Sequence, residues 1–321
     1  MIDGMVELWT IWHDLLFEWV VQPIAFGLGF GQLLEVAYEG TGLFMVGVLE
    51  VLIMLVLIAP MQRWRPVEPI TDRQAIRIDA IYTLVHKLGV FELFMYFTFA
   101  NWLEKAIAYL RGWGMPTFHI DQLWPGVTDV AFVSFLIYLV VFDFVNYLIH
   151  RGQHEFEWWW KLHALHHSQR QMTMWTDNRN HLIDSIVVAT IIASVAVLVG
   201  VGPGQFVALM ALGRLSENLQ HANVRLSFGP VFERVWVSPR FHRRHHSIGV
   251  GHESFDHGRV VLGGCNFGVL LPVWDMLFRT ADFQLRFDPT GVRDQVEQGR
   301  DYGRGFWAQQ KQGVLRLLGR A

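Results

Sequence analysis

At 321 residues the chain is long enough for two soluble domains, but a 52% hydrophobic content and a positive mean hydropathy favour several membrane segments over a globular core. A formal net charge of −3 with histidine neutral lies too near balance for nucleic-acid binding. The single cysteine, Cys265, excludes an intrachain disulfide, a Cys-ligated zinc ribbon and an iron–sulfur cluster carried within this chain, so any electrons must arrive from elsewhere.

Residues 1–40 contain no Lys or Arg, whereas Asp3, Glu7, Asp14 and Glu18 are acidic, so the basic start of a signal peptide is missing and the segment is expected to be retained. Pro23 and several glycines break its apolar stretches, and residues 1–42 read as an amphipathic, interfacial, extracytoplasmic segment. Leu43–Pro60 is the first clear span, with only Glu50 charged. Arg63, Arg65, Arg73 and Arg77 follow at once and put residues 61–80 in the cytoplasm by the positive-inside rule. A second span is expected over about Thr83–Leu103, despite His86, Lys87 and Glu92, and a third over Val130–Ile149, so that His150 emerges on the cytoplasmic face. Leu182–Val199 and Phe206–Leu219, joined by the turn sequence GVGPG, form a hairpin that crosses or only dips into the bilayer. Either way the chain returns at His221 to the side it left at His181. Residues 222–321 are rich in arginine, contain no run long enough to span, and read as a cytoplasmic cap. The expected fold is all-α: a polytopic bundle of about 4–5 membrane segments over residues 43–321, with a cytosolic helical cap holding a histidine-rich dimetal site between residues 150 and 246.

The segment Asp143–His181 packs His150, His154, His163, His166, His167 and His181 close together. Histidines at i and i+4, or at i, i+3 and i+4, share a helix face, so each turn can aim neutral imidazoles at a common centre. KLHALHHSQ at 161–169 is answered by PRFHRRHHSI at 239–248, which adds His242, His245 and His246. Two similar half-sites suggest two metals. Lone histidines such as His13, His86, His119, His252 and His257 read instead as hydrogen-bonded core or surface residues. Structural zinc needs only four ligands, and imidazole suits iron, copper, nickel and zinc alike, so the residues by themselves leave the metal open.

HRGQH at 150–154, HALHH at 163–167 and HRRHH at 242–246 resemble the histidine boxes of the fatty acid hydroxylase/sterol desaturase superfamily of membrane di-iron oxygenases. DFVNYLIHR at 143–151, RNH at 179–181, QHANV at 220–224, CNFG at 265–268 and VWDMLFRT at 273–280 extend the resemblance over roughly residues 130–280. Two departures stand out. Arg279 replaces the usual glycine, and an extra stretch, GVGHESFDHGRVVLGG, separates the third box from Asn266. The resemblance implies that His150, His154, His163, His166, His167, His242, His245 and His246 bind the metals, that His221 completes the set, and that His181 has an outer role or contacts substrate. Asp143, Asp184, Glu217 and Asn218 are expected to accept N–H bonds from ligating rings and so fix their tautomers.

The implied cofactor is two iron ions, which zinc can replace in purified protein, with O2 as cosubstrate and hydroxylation or desaturation of a lipid C–H bond as the outcome. A sterol, a fatty acyl chain, an alkylglycerol ether and an amino-acid-containing lipid all remain open as substrate. Trp158, Trp159, Trp160 and Trp175 read as an interfacial belt beside the boxes. GLGFG at 27–31 lacks the last glycine of a nucleotide fingerprint, so a separate donor is expected: a ferredoxin or cytochrome b5-like protein with its NAD(P)H reductase. Arg234, Arg240, Arg243 and Arg244 are expected to form its basic docking surface. Two rivals remain: a zinc-dependent membrane lipid hydrolase, whose carboxylate and serine are not evident, and a metal transporter, which expects ligands at midplane depth rather than at helix ends.

Overall fold

The computed structural model describes residues 2–257, 259–284 and 286–321. Helix α1 (Ile2–Leu16) runs on through a π-helical turn and a short helix to Gly27, and lies against the long helix α2 (Gly31–Trp64). At about 1.5 Å per residue α2 exceeds the thickness of the hydrocarbon layer. It starts well before the expected Leu43. Glu35 and Glu39 halt a hydropathy reading, but backbone hydrogen bonding continues through them.

The second expected span is not one rod. Helix α3 (Arg73–Lys87) and helix α4 (Val90–Met95, prolonged by a π turn) meet at a bend of 56°. Gly89 at the junction has φ 78°, a left-handed conformation that ends one helix and caps the next. Just before the bend the buried Lys87 ammonium pairs with the buried Glu50 carboxylate of α2 at 2.5 Å, and Arg214 reaches the same carboxylate at 2.8 Å. Opposite charges at bilayer depth must meet in this way. The crossing is close enough that a Cβ at Gly47 would collide with the Lys87 carbonyl.

Beyond the amphipathic helix α5 (Asn101–Gly112) come α6 (Ala131–Glu155), α7 (Glu157–His167), α8 (Leu182–Val199) and α9 (Pro203–His221), of which α6, α7 and α9 carry box-associated histidines. Gly200 at φ 69° closes α8, and Pro203 opens α9, the usual punctuation of a tight helical turn. Tyr138, Phe142 and Ile149 of α6 pack with Ile192 of α8, Leu209 of α9, and Val269 and Leu270 of the cap. Helices α2, α6 and α8 are long and apolar enough to cross a membrane, and the bent pair makes a fourth if it counts as one span. The protein is thus a polytopic helical membrane protein.

The cap is less helical than expected. It contains α10 (Pro239–His245), a hairpin of β1 (Glu253–Asp256) and β2 (Arg259–Leu262), α11 (Val273–Leu277) and α12 (Phe306–Leu317), joined by loops and by two short helices, Gly229–Phe232 and Arg293–Glu297. Gln310 of α12 accepts the Leu182 N–H and donates to Tyr82, fastening the C-terminal helix across α8 and α3. The expected arginine surface is largely internal. Arg243 and Arg244 are only 3% and 5% exposed; the first pairs with Glu68, the second with Asp282 and Asp288, while Arg240 pairs with Glu233. These pairs tie the cap together and to the loop after α2 rather than leaving Arg243 and Arg244 at the surface. Only Arg234 of the four is exposed, and its guanidinium covers Phe283.

Candidate metal centre

Four elements converge at one end of α6. His150, His154, His167 and His245 bring one ring nitrogen each within 4.8 Å of one another, and His166, His221, His242 and His246 do the same beside them. The groups abut, with the His167 ring stacked on His246 at 4.3 Å. Successive helical residues are rotated by about 100°. An adjacent pair therefore serves two centres: His166 and His167 go to different groups, and so do His245 and His246. Each half-site is not one box, as the repeat suggested; the boxes interleave.

The rings are held by their outer nitrogens. Main-chain carbonyls of Gly263, Cys265 and Phe267 accept Nδ1–H bonds from His154 at 3.2 Å, His245 at 2.8 Å and His150 at 2.9 Å. The three carbonyls belong to one short segment after β2, whose positive φ values at Gly264 and Asn266 set its course. Glu217 holds His221 through its main-chain oxygen at 2.8 Å, and Asp184 accepts from His163 Nδ1 at 3.2 Å. With Nδ1 protonated in these rings, each Nε2 presents a lone pair inward.

Those lone pairs face further ring nitrogens. His167 Nε2 lies 3.1 Å from His154 Nε2 and 3.3 Å from His163 Nε2, and His221 Nε2 lies 3.1 Å from His166 Nε2 and 3.0 Å from His242 Nε2. His245 Nε2 and the Nδ1 atoms of His166, His167, His242 and His246 are buried without partners. Burial first, and neighbouring imidazoles second, hold His166, His167, His242, His245 and His246 well below the ordinary value of 6.5, so the rings are neutral. Neutral buried rings crowded in this way, with ring nitrogens left unpartnered, are costly unless cations lie between them. The donor set therefore fits two metal ions.

His163 stands at the edge of the first group. Its ring is 5.0 Å from His167 and 5.2 Å from His154, and Asp184 fixes it while also accepting from Trp159 and Gln153. Trp159 is thus a buried hydrogen-bond donor and no part of an interfacial belt. Asp143 does not support a ligating ring. Its carboxylate accepts from Leu270 N, Leu271 N and Trp274 Nε1, while Asp275 accepts from Phe267 N, Gly268 N and Thr280 Oγ1. Asp275 thus holds the end of the segment whose carbonyls orient the first group, and Asp143 holds the residues that follow it. Asn218 donates to Met174 O and Asp177. Among the described residues neither it nor the Glu217 carboxylate bonds to a histidine of the two groups.

His181 lies elsewhere in function. Its Nδ1 caps α8 by accepting from Ile183 N, and its Nε2 donates to Gln310 O, so both ring nitrogens are engaged. A Cβ at Gly313 would collide with this ring, which shows how tightly α12 presses on it. The supporting carbonyls carried no side-chain signal in the sequence. His252 was legible only as a lone histidine, yet its buried ring lies 4.9 Å from His167 and 5.2 Å from Trp160.

A family model described as fatty acid hydroxylase matches residues 135–280. This segment belongs to the fatty acid hydroxylase family. All nine box-associated histidines and both aspartate clamps fall inside it. The chain is 31% identical over 181 residues to ornithine lipid hydroxylase OlsE of Rhizobium tropici, covering 56% of this chain and 51% of that protein. It is 26% identical over 147 residues to alkylglycerol monooxygenase of Caenorhabditis elegans, covering 46% and 26%, and 24% identical over 166 residues to fatty acid hydroxylase vlmA of Lecanicillium sp, covering 49% and 44%. These matches span about half the length of the relatives or less. No solved structure matches this chain.

Proposed function

We propose that this chain is an O2-dependent lipid hydroxylase of the two-iron class, supplied with electrons by a separate protein. The observation that carries the proposal is the pairing of two neutral four-histidine groups within a fatty acid hydroxylase segment. Two iron ions bound there would supply O2 reduction and oxidation of an unactivated C–H bond. His150, His154, His167 and His245 would hold one ion, and His166, His221, His242 and His246 the other, with His163 beside the first. The chain's own residues keep the ring lone pairs inward and the protons outward, and the clamps at Asp143 and Asp275 keep the orienting carbonyls in place.

The named relatives act on an ornithine lipid, an alkylglycerol and a fatty acid, which supports a membrane lipid as substrate here. Location of the groups at the end of the apolar helix α6 supports approach from the bilayer, and the arginines after α2 support a cytoplasmic site. A zinc hydrolase fits less well. No carboxylate oxygen enters either group among the described residues, whereas a metal-assisted hydrolysis needs a base to deprotonate water. A transporter would spread ligands along a path, but these close into two sets.

The test is reconstitution in lipid with 18O-labelled O2, with and without a ferredoxin and its NAD(P)H-dependent reductase. Label should enter one lipid product only when the donor is present. Product formed without a donor, or carrying oxygen from water, would exclude the oxygenase reading.

A further inference from the structure

The hairpin between the third box and Asn266 is anchored to the metal groups at both of its feet. Its outgoing foot, Gly263, supplies the carbonyl that holds His154. Its incoming foot is His252, whose main-chain oxygen accepts from Gly263 N, so the two feet close on each other. Gly264 has φ 118°, and a Cβ there would collide with the Gly251 carbonyl; a Cβ at Gly251 would collide with the His245 carbonyl. Glycines at these positions let the hairpin base press directly against α10. That pressure seats the His252 ring, which is 2% exposed, 4.9 Å from His167 and 6.4 Å from His154, nearly parallel to the latter. Its Nε2 is buried without a partner. A structural histidine in such a place would hydrogen-bond through that atom.

We propose that His252 is a tenth metal-site histidine, a ligand of the ion held by His150, His154, His167 and His245, delivered by the inserted hairpin. The proposal rests on the two-metal reading above. It makes the two ions unequal, since no matching side chain reaches the second group from the hairpin among the described residues.

The experiment uses full-length protein in lipid nanodiscs loaded with Co(II), comparing wild type with His252→Gln and His252→Cys. Chelator competition and the visible ligand-field spectrum are the readouts. His252→Gln should weaken one of the two ions about tenfold or more and alter its absorption, leaving the other unchanged. His252→Cys should restore affinity and add a thiolate band. Affinities and spectrum identical to wild type in both variants would overturn the proposal. So would unfolding, or loss of both ions, in both variants, because that marks a packing residue. A wild type that binds no cobalt would instead contradict the underlying two-metal reading.

Discussion

Arg279 adopts φ 59°, a backbone conformation that costs an L side chain about 1–2 kcal/mol, at the point where the family pattern has glycine. Thr280 is fixed there by bonds to Asp275, so the turn cannot relax. Arg279→Gly should therefore stabilise the protein by about 0.5–1 kcal/mol, read by thermal unfolding in detergent. Asp184 offers a sharper test. In Asp184→Asn the retained oxygen still serves Trp159 and Gln153, but the new NH2 faces His163 Nδ1 and forces the ring proton onto Nε2, the atom turned toward His167. Metal affinity should fall roughly 10–100-fold with little change in folding, as measured by chelator competition. Acid acts on the neighbouring rings. His166, His167, His242, His245 and His246 stay neutral when folded but protonate when unfolded, so the metal-free protein should lose stability as pH drops below about 6.5 and change little above it. Unfolding midpoints that are flat from pH 8 to 5 would contradict this.

Among the elements, the crossing of α2 with the bend after α3 holds a buried ion pair between Lys87 and Glu50. Glu50→Ala would leave Lys87 buried and uncompensated and should destabilise by about 3–5 kcal/mol, whereas adding Lys87→Met should recover much of that loss. Unfolding of single and double variants in the same detergent checks the sign. Hydropathy found α6, α8 and α9 nearly at their ends because their apolar runs are bounded by Gly, Pro or the boxes. It missed the break at Gly89, since a glycine in left-handed geometry looks the same in sequence as one inside a helix. It also read Arg240, Arg243 and Arg244 as surface, because a charged side chain's burial depends on distant partners: Glu68, Glu233, Asp282 and Asp288. The histidine spacing singled out the residues that cluster, but not how they divide into two groups. That follows from the 100° step between neighbours, which sends His166 and His167 to different centres. The carbonyls of Gly263, Cys265 and Phe267 were illegible, because a main-chain acceptor has no residue-type signature.

On the scale of the whole molecule, a metal centre built from α6, α7, α9 and α10 requires the boxes, the cap and the C-terminal helix to share one side of the membrane. A reporter fused after Ala321 should be active only in the cytoplasm, and one inserted at the Gly200–Gly204 turn should be inaccessible from it; the reverse pattern would invert the topology. The central claim is that the histidines form two separable metal sites. Metal analysis of purified, membrane-inserted protein, paired with activity because zinc can replace iron, tests it most directly. Wild type should hold two ions per chain; His154→Ala with His245→Ala should hold one, His221→Ala with His242→Ala should hold one, and each should abolish activity. One ion or none in active wild type, or retention of both ions and activity in either double variant, would contradict it.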